Sequence, residues 1–307
     1  MIDALNQWAV ERGYRLACGG VAVLHDVRAE LERRGSSGEL DAAFRENNLG
    51  FFRYEKSSET IGEVKGVIAV AVRRPAHRLT FEMGTGPFTV TIPPTYVQYR
   101  AMFRNVRDEI TAALPALRGH LDILLAPLKA VACRLGLVTY GRNNLTYIPD
   151  WGSYYQLLGY VTDADLGIAD DWGPVPARLM PACESCGICI AACPTGAISD
   201  DRVLLRAERC TTLFSEQSGE LERDLSADCI FGCLECQQLC PENDGLLRVE
   251  PAGVAFTKAE TEVILADGAD GARLDSVRQK LDVLGLTEAP LIARNLKYLI
   301  ARRSQAR

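Results

Sequence analysis

The chain has 307 residues, of which 48% are hydrophobic and 24% are charged, and its formal net charge is −6. This composition is typical of a globular protein, and the length suffices for one large domain or two smaller ones. The negative net charge gives no general attraction to nucleic acid or to an anionic membrane.

The N-terminal segment carries Asp3 and Glu11 where a secretory signal needs a basic and then an apolar run. No uncharged apolar stretch approaches the roughly 20 residues that a membrane-spanning helix needs. We therefore expect a cytoplasmic protein without a membrane partner.

Hydrophobic periodicity predicts a mixture of helices and strands along the chain. The run "VKGVIAVAV" is β-branched and nearly uncharged, which is typical of a strand buried on both faces, whereas "PFTVTIPP" alternates as an exposed strand does. The stretch "GLVTYGRNN" predicts a strand followed by a turn, and "GSYYQLLGYVTD" predicts a strand or a helix edge. Helices are predicted over residues 3–12, 22–34, 97–117, 121–135 and 257–303.

Eleven cysteines are the most unusual feature of the sequence, and nine of them lie between Cys183 and Cys240. Cytoplasmic thiols stay reduced, so a disulfide framework is a poor explanation and metal ligation a good one. Cys18 and Cys133 lie apart from the others in apolar surroundings, and we interpret both as small core residues.

The run C-x2-C-x2-C-x3-C-P, which begins at Cys183, is the ligand pattern of bacterial two-cluster ferredoxins. Its first three thiolates bind one cluster and its fourth binds the other. A second set downstream completes the pattern, so the predicted ligands of one [4Fe–4S] cluster are Cys183, Cys186, Cys189 and Cys240, and those of the other are Cys193, Cys210, Cys233 and Cys236.

Two alternatives stay open for these thiols. Cys229 is a ninth thiol near the second set and could replace Cys210 as a ligand. Paired C-x2-C units also bind zinc, but zinc sites do not need the full ferredoxin run.

The thiol-rich segment has few apolar residues and is expected to build little core of its own, so the clusters would serve as its core. About 180 residues precede it, which indicates that the clusters serve a catalytic domain in the same chain. We predict an α/β domain over residues 1–175, a ferredoxin-like domain over 176–246 and a helical C-terminal segment over 247–307.

In these motifs and in several other stretches the sequence resembles the epoxyqueuosine reductase family, which is related to the corrinoid reductive dehalogenases. The resemblance is close in "CESCGICIAACPTGAI", "RAERC" and "FGCLECQQLCPEN". It is weaker in "LGLVTYGRNNLTYIPDWGSYYQLLGYVTD", "GVIAVAV" and "YRAMFRNVRDEI", and together these stretches cover roughly residues 50–245. The resemblance implies an oxidoreductase with an α/β (α+β) cobalamin-binding-type domain, a double [4Fe–4S] domain and a short helical tail.

The resemblance also implies roles for individual residues. The proton donor proposed for the family lies 19 residues before the Gly that matches Gly141, which is the position of Asp122, and Tyr99 matches a family tyrosine. The resemblance assigns cobalamin contacts to the two glycine-flanked turns, at Gly141, Arg142, Asn143, Asn144, Gly152 and Ser153. The structural alternatives are a helix-start carboxylate for Asp122, a half-buried helix aromatic for Tyr99, and ordinary turns for the glycines.

The chain departs from the family pattern where substrate recognition is expected. Thr139 replaces a Trp, Arg142 replaces a Lys, Leu128 and Lys129 replace a Glu and an Arg, and the tail is shorter than in the tRNA-acting enzymes. The C-terminal stretch "LIARNLKYLIARR" could bind phosphates through its basic residues or present a solvated basic face: Arg294, Lys297, Arg302 and Arg303.

Three functions follow. The first is a cobalamin-dependent reductase that takes electrons from an external low-potential donor and reduces an unidentified electrophile, either a small molecule or a nucleoside. The second is a tRNA epoxyqueuosine reductase, although the net charge argues against tight tRNA binding. The third is a ferredoxin-type protein that reduces a separate corrinoid partner.

Overall fold

The structure is a computed structural model that describes residues 1–54, 60–202, 204–221, 225, 228–267, 275–286 and 289–305. Within these ranges, no helix is both long and apolar enough to cross a membrane.

The chain contains both helices and strands, often several of one kind in succession. The helices are α1 (Ile2–Glu11), α2 (Ala22–Ser36), α3 (Ala42–Leu49), α4 (Tyr99–Ala113), α5 (Leu128–Arg134), α6 (Ile188–Ala192), α7 (Thr211–Glu216), α8 (Glu235–Gln238), α9 (Lys258–Asp267), α10 (Asp275–Leu284) and α11 (Ala289–Gln305). The strands are β1 (Arg15–Gly20), β2 (Gly66–Arg73), β3 (Ala76–Met83), β4 (Gly86–Ile92), β5 (Leu121–Ile123), β6 (Thr139–Tyr140), β7 (Thr146–Tyr147), β8 (Tyr155–Thr162) and β9 (Val249–Phe256).

The chain packs into two compact units, neither of which is continuous in sequence. The first comprises Met1–Arg73, Arg100–Gly187 and Ile198–Arg206, and the second comprises Arg74–Tyr99, Ile188–Ala197 and Ala207–Arg307. These units do not coincide with the three predicted segments, because strands β3 and β4 pack with the C-terminal helices rather than with the N-terminal sheet.

An antiparallel sheet in the order β1-β2-β8-β5 forms the centre of the first unit. Strand β2 is buried at every position except Arg73, which confirms the prediction of a strand covered on both faces. Its side chains alternate between two cores, since Ile68 packs with residues of α1 and α4 while Val67 packs with residues of α2 and α5. The Tyr160 hydroxyl donates to the Phe103 carbonyl at 2.9 Å and so joins β8 to α4.

The predicted helix over residues 121–135 is wrong in its first half. Residues 121–123 form strand β5, which pairs with β8, and α5 begins only at Leu128. Pro127 immediately precedes α5, and a proline pushes the residue before it out of the helical region, so one helix does not run through this stretch. The apolar run before the proline becomes a short sheet-edge strand instead.

Strands β4, β3 and β9 form the sheet of the second unit, with β3 antiparallel to β4 and parallel to β9. The predicted helical character of residues 257–303 is confirmed by α9, α10 and α11, while residues 268–274 and 287–288 of that prediction lie outside the described residues. Leu225, Ile230 and Phe231 of the thiol-rich segment belong to the same core as these helices. These three residues therefore join a core that other elements build, which agrees with the expectation that the segment forms little core of its own.

We predict that Gly159→Ala destabilises the first unit. A methyl group at Gly159 would lie 2.4 Å from Cδ2 of Leu128 and 3.3 Å from Cβ of Leu124. Overpacking of this kind costs about 1–3 kcal/mol of unfolding free energy, measurable by urea denaturation. Gly173→Ala is the matched control, since no heavy atom lies within 4 Å of the added methyl group. Equal stability of the two variants would contradict the packing described for β8.

Candidate functional site

The second predicted set of cluster ligands lies entirely within the second unit. Cys193 follows α6, Cys210 precedes α7, Cys233 precedes α8 and Cys236 lies within it. Burial raises the pKa of the Cys236 thiol, and four neighbouring thiols raise it further: Cys233, Cys210, Cys189 and Cys193. The structure therefore brings this predicted set together.

These thiols suit an iron–sulfur cluster chemically. Buried thiolates that repel one another need a compensating positive charge, which the iron atoms of a cluster supply. The backbone N–H of Ala197 points at Cys193 Sγ at 3.3 Å, as an N–H does when it stabilises a thiolate. In the part of the chain that the structure describes, no group of three or more His, Cys, Asp or Glu side chains has an arrangement suited to a single ion.

The first predicted set is distributed differently. Cys183 and Cys186 lie in the first unit, whereas Cys189 and Cys240 lie in the second, so the boundary between the units falls inside the first motif. Cys183 ends a short 3-10 helix at residues 181–183, and Cys189 is buried within α6.

Cys229, the open alternative to Cys210, is buried and forms an isolated β-bridge with Thr91. Thr91 N–H donates to the Asp228 carbonyl at 2.7 Å, and Ile230 N–H donates to the Thr91 carbonyl at 3.0 Å. The backbone on both sides of Cys229 is thus fastened to the end of β4. Both Cys229 and Cys210 lie near Tyr96, whose pKa they raise, so the choice between them stays open.

Two further cysteines were predicted to be core residues. Cys133 is buried among the residues behind α5, and Cys18 packs half-buried against the core beneath β1. Burial raises the pKa of the Cys18 thiol to about 12 and also raises that of Cys133. Both thiols therefore stay protonated near neutral pH, as inert core residues do.

Arg142 connects the first glycine-flanked turn to the first cluster motif. Its guanidinium donates from Nε and Nη2 to the carbonyl oxygen of Cys183, at 3.2 and 3.0 Å. Arg142, predicted to contact cobalamin, therefore contacts the backbone of Cys183, which is predicted to bind a cluster.

The turn itself is tightly built from its own side chains. Asn143 is only 2% exposed; its amide donates to the Tyr147 hydroxyl at 2.8 Å and its oxygen accepts from Leu145 N–H at 3.2 Å. A methyl group at Gly141 would lie 2.5 Å from the Tyr147 ring, so the missing side chain makes room for Tyr147. Asn144 has φ +60°, and its carbonyl accepts from Lys129 Nζ at 2.9 Å. These contacts favour a structural interpretation of Gly141 and Asn143.

The second turn contains Gly152 and Ser153. Gly152 has φ +61° and exchanges two backbone hydrogen bonds with Ile148, at 3.0 and 3.1 Å. The guanidinium groups of Arg15 and Arg73 lie over the buried ring of Trp151, at 4.9 and 5.3 Å from its centroid. Arg73 also donates to the Asp150 carbonyl at 2.6 Å. This turn is therefore held from β1 and β2.

The two predicted catalytic residues lie in different units. Asp122 is partly buried in the edge strand β5, and its Oδ1 accepts from the N–H of Ile123 at 2.8 Å. Because it lies in a strand, the helix-start interpretation of this carboxylate is wrong. Tyr99 is the first residue of α4 and is 43% exposed.

The arginines of α11 donate hydrogen bonds to other residues of the second unit. Arg294 donates to the carbonyls of Phe214, Gln217 and Gly219. Arg302 donates to the Leu225 carbonyl, and Arg303 donates to the Thr89 carbonyl and to Asp228. These three arginines therefore bond within the second unit, whereas Arg302 and Lys297 are also exposed, so phosphate binding by this helix stays a prediction.

Sequence reasoning missed the polar residues that surround the second thiol set. Tyr96 is stacked on Phe231 and donates from its hydroxyl to Glu216, and burial is the main cause that raises the pKa of both groups. Asn295 is fully buried on α11. The only indication of Asn295 in the sequence is an amide within an otherwise apolar helix stripe.

Comparison with known proteins agrees with the thiol pattern. Residues 182–243 match the family model of a 4Fe-4S double cluster binding domain. An epoxyqueuosine reductase of Bacillus subtilis (strain 168) is 34% identical over 120 residues, which is 38% of this chain and 29% of that protein. One from Shewanella oneidensis is 27% identical over 233 residues, which is 67% of this chain and 57% of that protein. The chain thus matches well under two thirds of the length of these relatives.

Solved structures extend the likeness to nearly the whole chain at low identity. The epoxyqueuosine reductase from Streptococcus thermophilus superposes with a TM-score of 0.66 at 18% identity, covering 98% of this chain and 81% of that one. An epoxyqueuosine reductase solved with a tRNA-Tyr epoxyqueuosine-modified tRNA stem loop has a TM-score of 0.60 at 18% identity, covering 94% and 77%. At this identity the likeness establishes the mixed α/β fold alone. The resemblance to the epoxyqueuosine reductase family is thus confirmed, by sequence over part of the chain and by fold along nearly the whole chain.

Proposed function

We propose that the chain is an iron–sulfur oxidoreductase of the epoxyqueuosine reductase type, and that epoxyqueuosine in tRNA is the substrate to test first. The match of residues 182–243 to a double-cluster domain carries this proposal. The sequence alone favoured an unidentified electrophile over tRNA, but the named relatives and the tRNA-bound structure favour the reverse order.

The proposed ligand sets are those of the ferredoxin pattern, with Cys183, Cys186, Cys189 and Cys240 for one cluster and Cys193, Cys210, Cys233 and Cys236 for the other. The closeness of Cys193, Cys210 and Cys233 to Cys236 supports the second set, and Cys189 of the first set also lies near Cys236. When bound, the two clusters supply single electrons that an external low-potential donor has delivered.

Reductive opening and loss of an epoxide oxygen consumes two electrons and two protons and releases water. Asp122 is the proposed source of one proton, because the family resemblance assigns it that role and its carboxyl group is only partly buried at a sheet edge. Tyr99, exposed at the start of α4, is the second proposed catalytic residue.

Cobalamin dependence is part of the proposal through the family resemblance. The contacts of the glycine-flanked turns add no support, since the Gly141 space is filled by Tyr147 and the Asn143 side chain bonds within its own turn. Arg142 is proposed to hold the backbone of the first cluster motif, through its hydrogen bonds to the Cys183 carbonyl. Mixing reconstituted protein with cobalamin and recording the corrin spectrum tests the cofactor directly.

We predict that anaerobically reconstituted protein contains about eight irons and eight labile sulfides per chain. Cys186→Ser and Cys236→Ser should each lose about half of both, since each removes one ligand from a different cluster. Cys133→Ser is the control and should keep the full content, because Cys133 is a core thiol. Stoichiometric zinc without iron in the purified parent would contradict the assignment.

We predict that Asp122→Asn lowers turnover by about 10²–10⁴-fold, the usual contribution of a general acid. The change keeps the shape of the side chain, so iron content should equal that of the parent. Asp171→Asn, which removes one exposed carboxylate elsewhere in the first unit, should turn over normally. Parent-like turnover of Asp122→Asn would show that Asp122 is not the proton donor.

We predict that the protein removes the epoxide oxygen from epoxyqueuosine in tRNA under anaerobic conditions with a chemical reductant, as measured by mass spectrometry of the nucleosides. Binding of the tRNA should be micromolar or weaker at physiological salt, because the net charge is −6 and three arginines of α11 are engaged internally. Reduction of a small epoxide, halide or enone but not of this tRNA would favour a cobalamin-dependent reductase of a different, small-molecule substrate. If the protein reduces neither the tRNA nor the small molecules but transfers electrons to a separate corrinoid protein, a ferredoxin-type electron carrier would be favoured.

A further inference from the structure

We propose that Asn295 and Arg294 of α11 are positioning residues for the second [4Fe–4S] cluster, acting through Ser215 on the Gly232–Cys233 segment. The inference rests on the proposed assignment of Cys193, Cys210, Cys233 and Cys236 to that cluster. It concerns residues that lie outside the cysteine motifs.

The ligands Cys210 and Cys233 are 23 positions apart. To bring both to one cluster, the chain must hold the backbone after Cys210 against the backbone before Cys233. Asn295 makes this connection. Its side-chain amide donates to the carbonyl of Ser215 at 2.9 Å and to the carbonyl of Ile230 at 2.8 Å. Ser215 lies in α7, the helix that begins directly after Cys210, and Ile230 lies three residues before Cys233. One side chain therefore joins both ligand-bearing segments.

Ser215 continues the connection toward Cys233. Its hydroxyl accepts from the N–H of Gly232 at 2.8 Å and donates to the Thr212 carbonyl at 2.8 Å. Gly232 has φ +65°, and a methyl group there would lie 2.6 Å from the Tyr96 hydroxyl. The residue before Cys233 is thus fixed by one hydrogen bond and by close packing.

Arg294 fixes which way the Asn295 amide points. Its Nε and Nη2 donate to Asn295 Oδ1 at 3.0 and 2.9 Å, which leaves the amide N–H groups directed at the two carbonyls. The same guanidinium donates to the Phe214 and Gly219 carbonyls, both at 2.9 Å. Because Asn295 is fully buried, the loss of its donors would leave two carbonyls without these partners in a place that water does not reach.

The stability and the electronic properties of a cluster depend on the position of its thiolates, on hydrogen bonds near its sulfurs and on solvent access. Loss of the hydrogen bonds that hold Gly232 and the α7 backbone would change the thiolate positions, the hydrogen bonds near the sulfurs and the solvent access at the second cluster. The first cluster receives Cys183 and Cys186 from a different segment, so its properties should not change.

The test uses the full chain, reconstituted anaerobically, with Asn295→Asp as the main variant. This change keeps the side-chain shape but turns a carboxylate oxygen toward the two carbonyls. The variant is combined with Cys186→Ser to observe the second cluster alone, and with Cys236→Ser to observe the first. The measurements are the rate of iron release to a ferrous chelator and the electron paramagnetic resonance spectrum after reduction.

We expect iron release from the second cluster to accelerate by about tenfold, the effect of losing roughly one buried hydrogen bond, and its resonance spectrum to change. The first cluster should keep its parent rate and spectrum. Ser215→Ala removes only the hydroxyl and should produce a smaller change in the same direction, which keeps the test decisive if Asn295→Asp does not fold. Lys297→Gln, on the exposed side of α11, is the matched control and should behave as the parent.

Parent-like rates and spectra for the second cluster in the variants would overturn the inference, as would equal acceleration at both clusters, which would indicate general loosening. A parent chain that lacks about eight irons would instead overturn the cluster assignment, and this inference with it. The iron content of the parent is measured before any variant, so the two failures are distinguishable.

Discussion

The second unit depends on one constraint: burial and four neighbouring thiols raise the pKa of the Cys236 thiol, so the thiols gathered there oppose its negative charge. Deprotonation of Cys236 is opposed by burial and by the neighbouring thiols, and four thiolates this close together repel one another unless a cation compensates their charge. Iron ions bound to the thiolates provide that compensation. The polypeptide must then hold short ligand segments in place, although those segments contain little regular structure of their own.

The second unit meets this need with a core that lies outside the cysteine motifs. Strands β3, β4 and β9 and helices α9 to α11 pack around apolar residues, and the segment between the cysteines adds Ile230 and Phe231 to the same core. Arg294, Asn295 and Arg302 of α11 then donate to backbone carbonyls of this segment, those of Phe214, Ser215, Leu225 and Ile230 among them, and Arg303 donates to the Asp228 carboxylate. A helix that the sequence suggested as a surface for phosphates also supports the thiol-bearing chain.

The first unit combines a rigid sheet with turns that are stabilised from within. Strand β2 is covered on both faces, and the sheet carries Asp122 on its short edge strand β5. The turn at residues 141–145 is closed by Asn143 and Tyr147, while Arg142 reaches the carbonyl of Cys183. A turn that was expected to face a cofactor through bare glycines is thus a packed element that contacts the backbone of a cluster motif.

The sequence by itself determined the double-cluster pattern, the buried strand β2 and most helices, because ligand spacing and hydrophobic periodicity are local properties. It failed at residues 121–127, where an apolar run before Pro127 suits a strand or a helix equally and pairing with β8 decides between them. It also did not reveal β1, β3 or β9, whose formation depends on distant partners. Only the tertiary structure decided that Gly141 accommodates Tyr147 and that Asn295 joins Ser215 to Ile230, because these contacts connect residues that no sequence spacing relates.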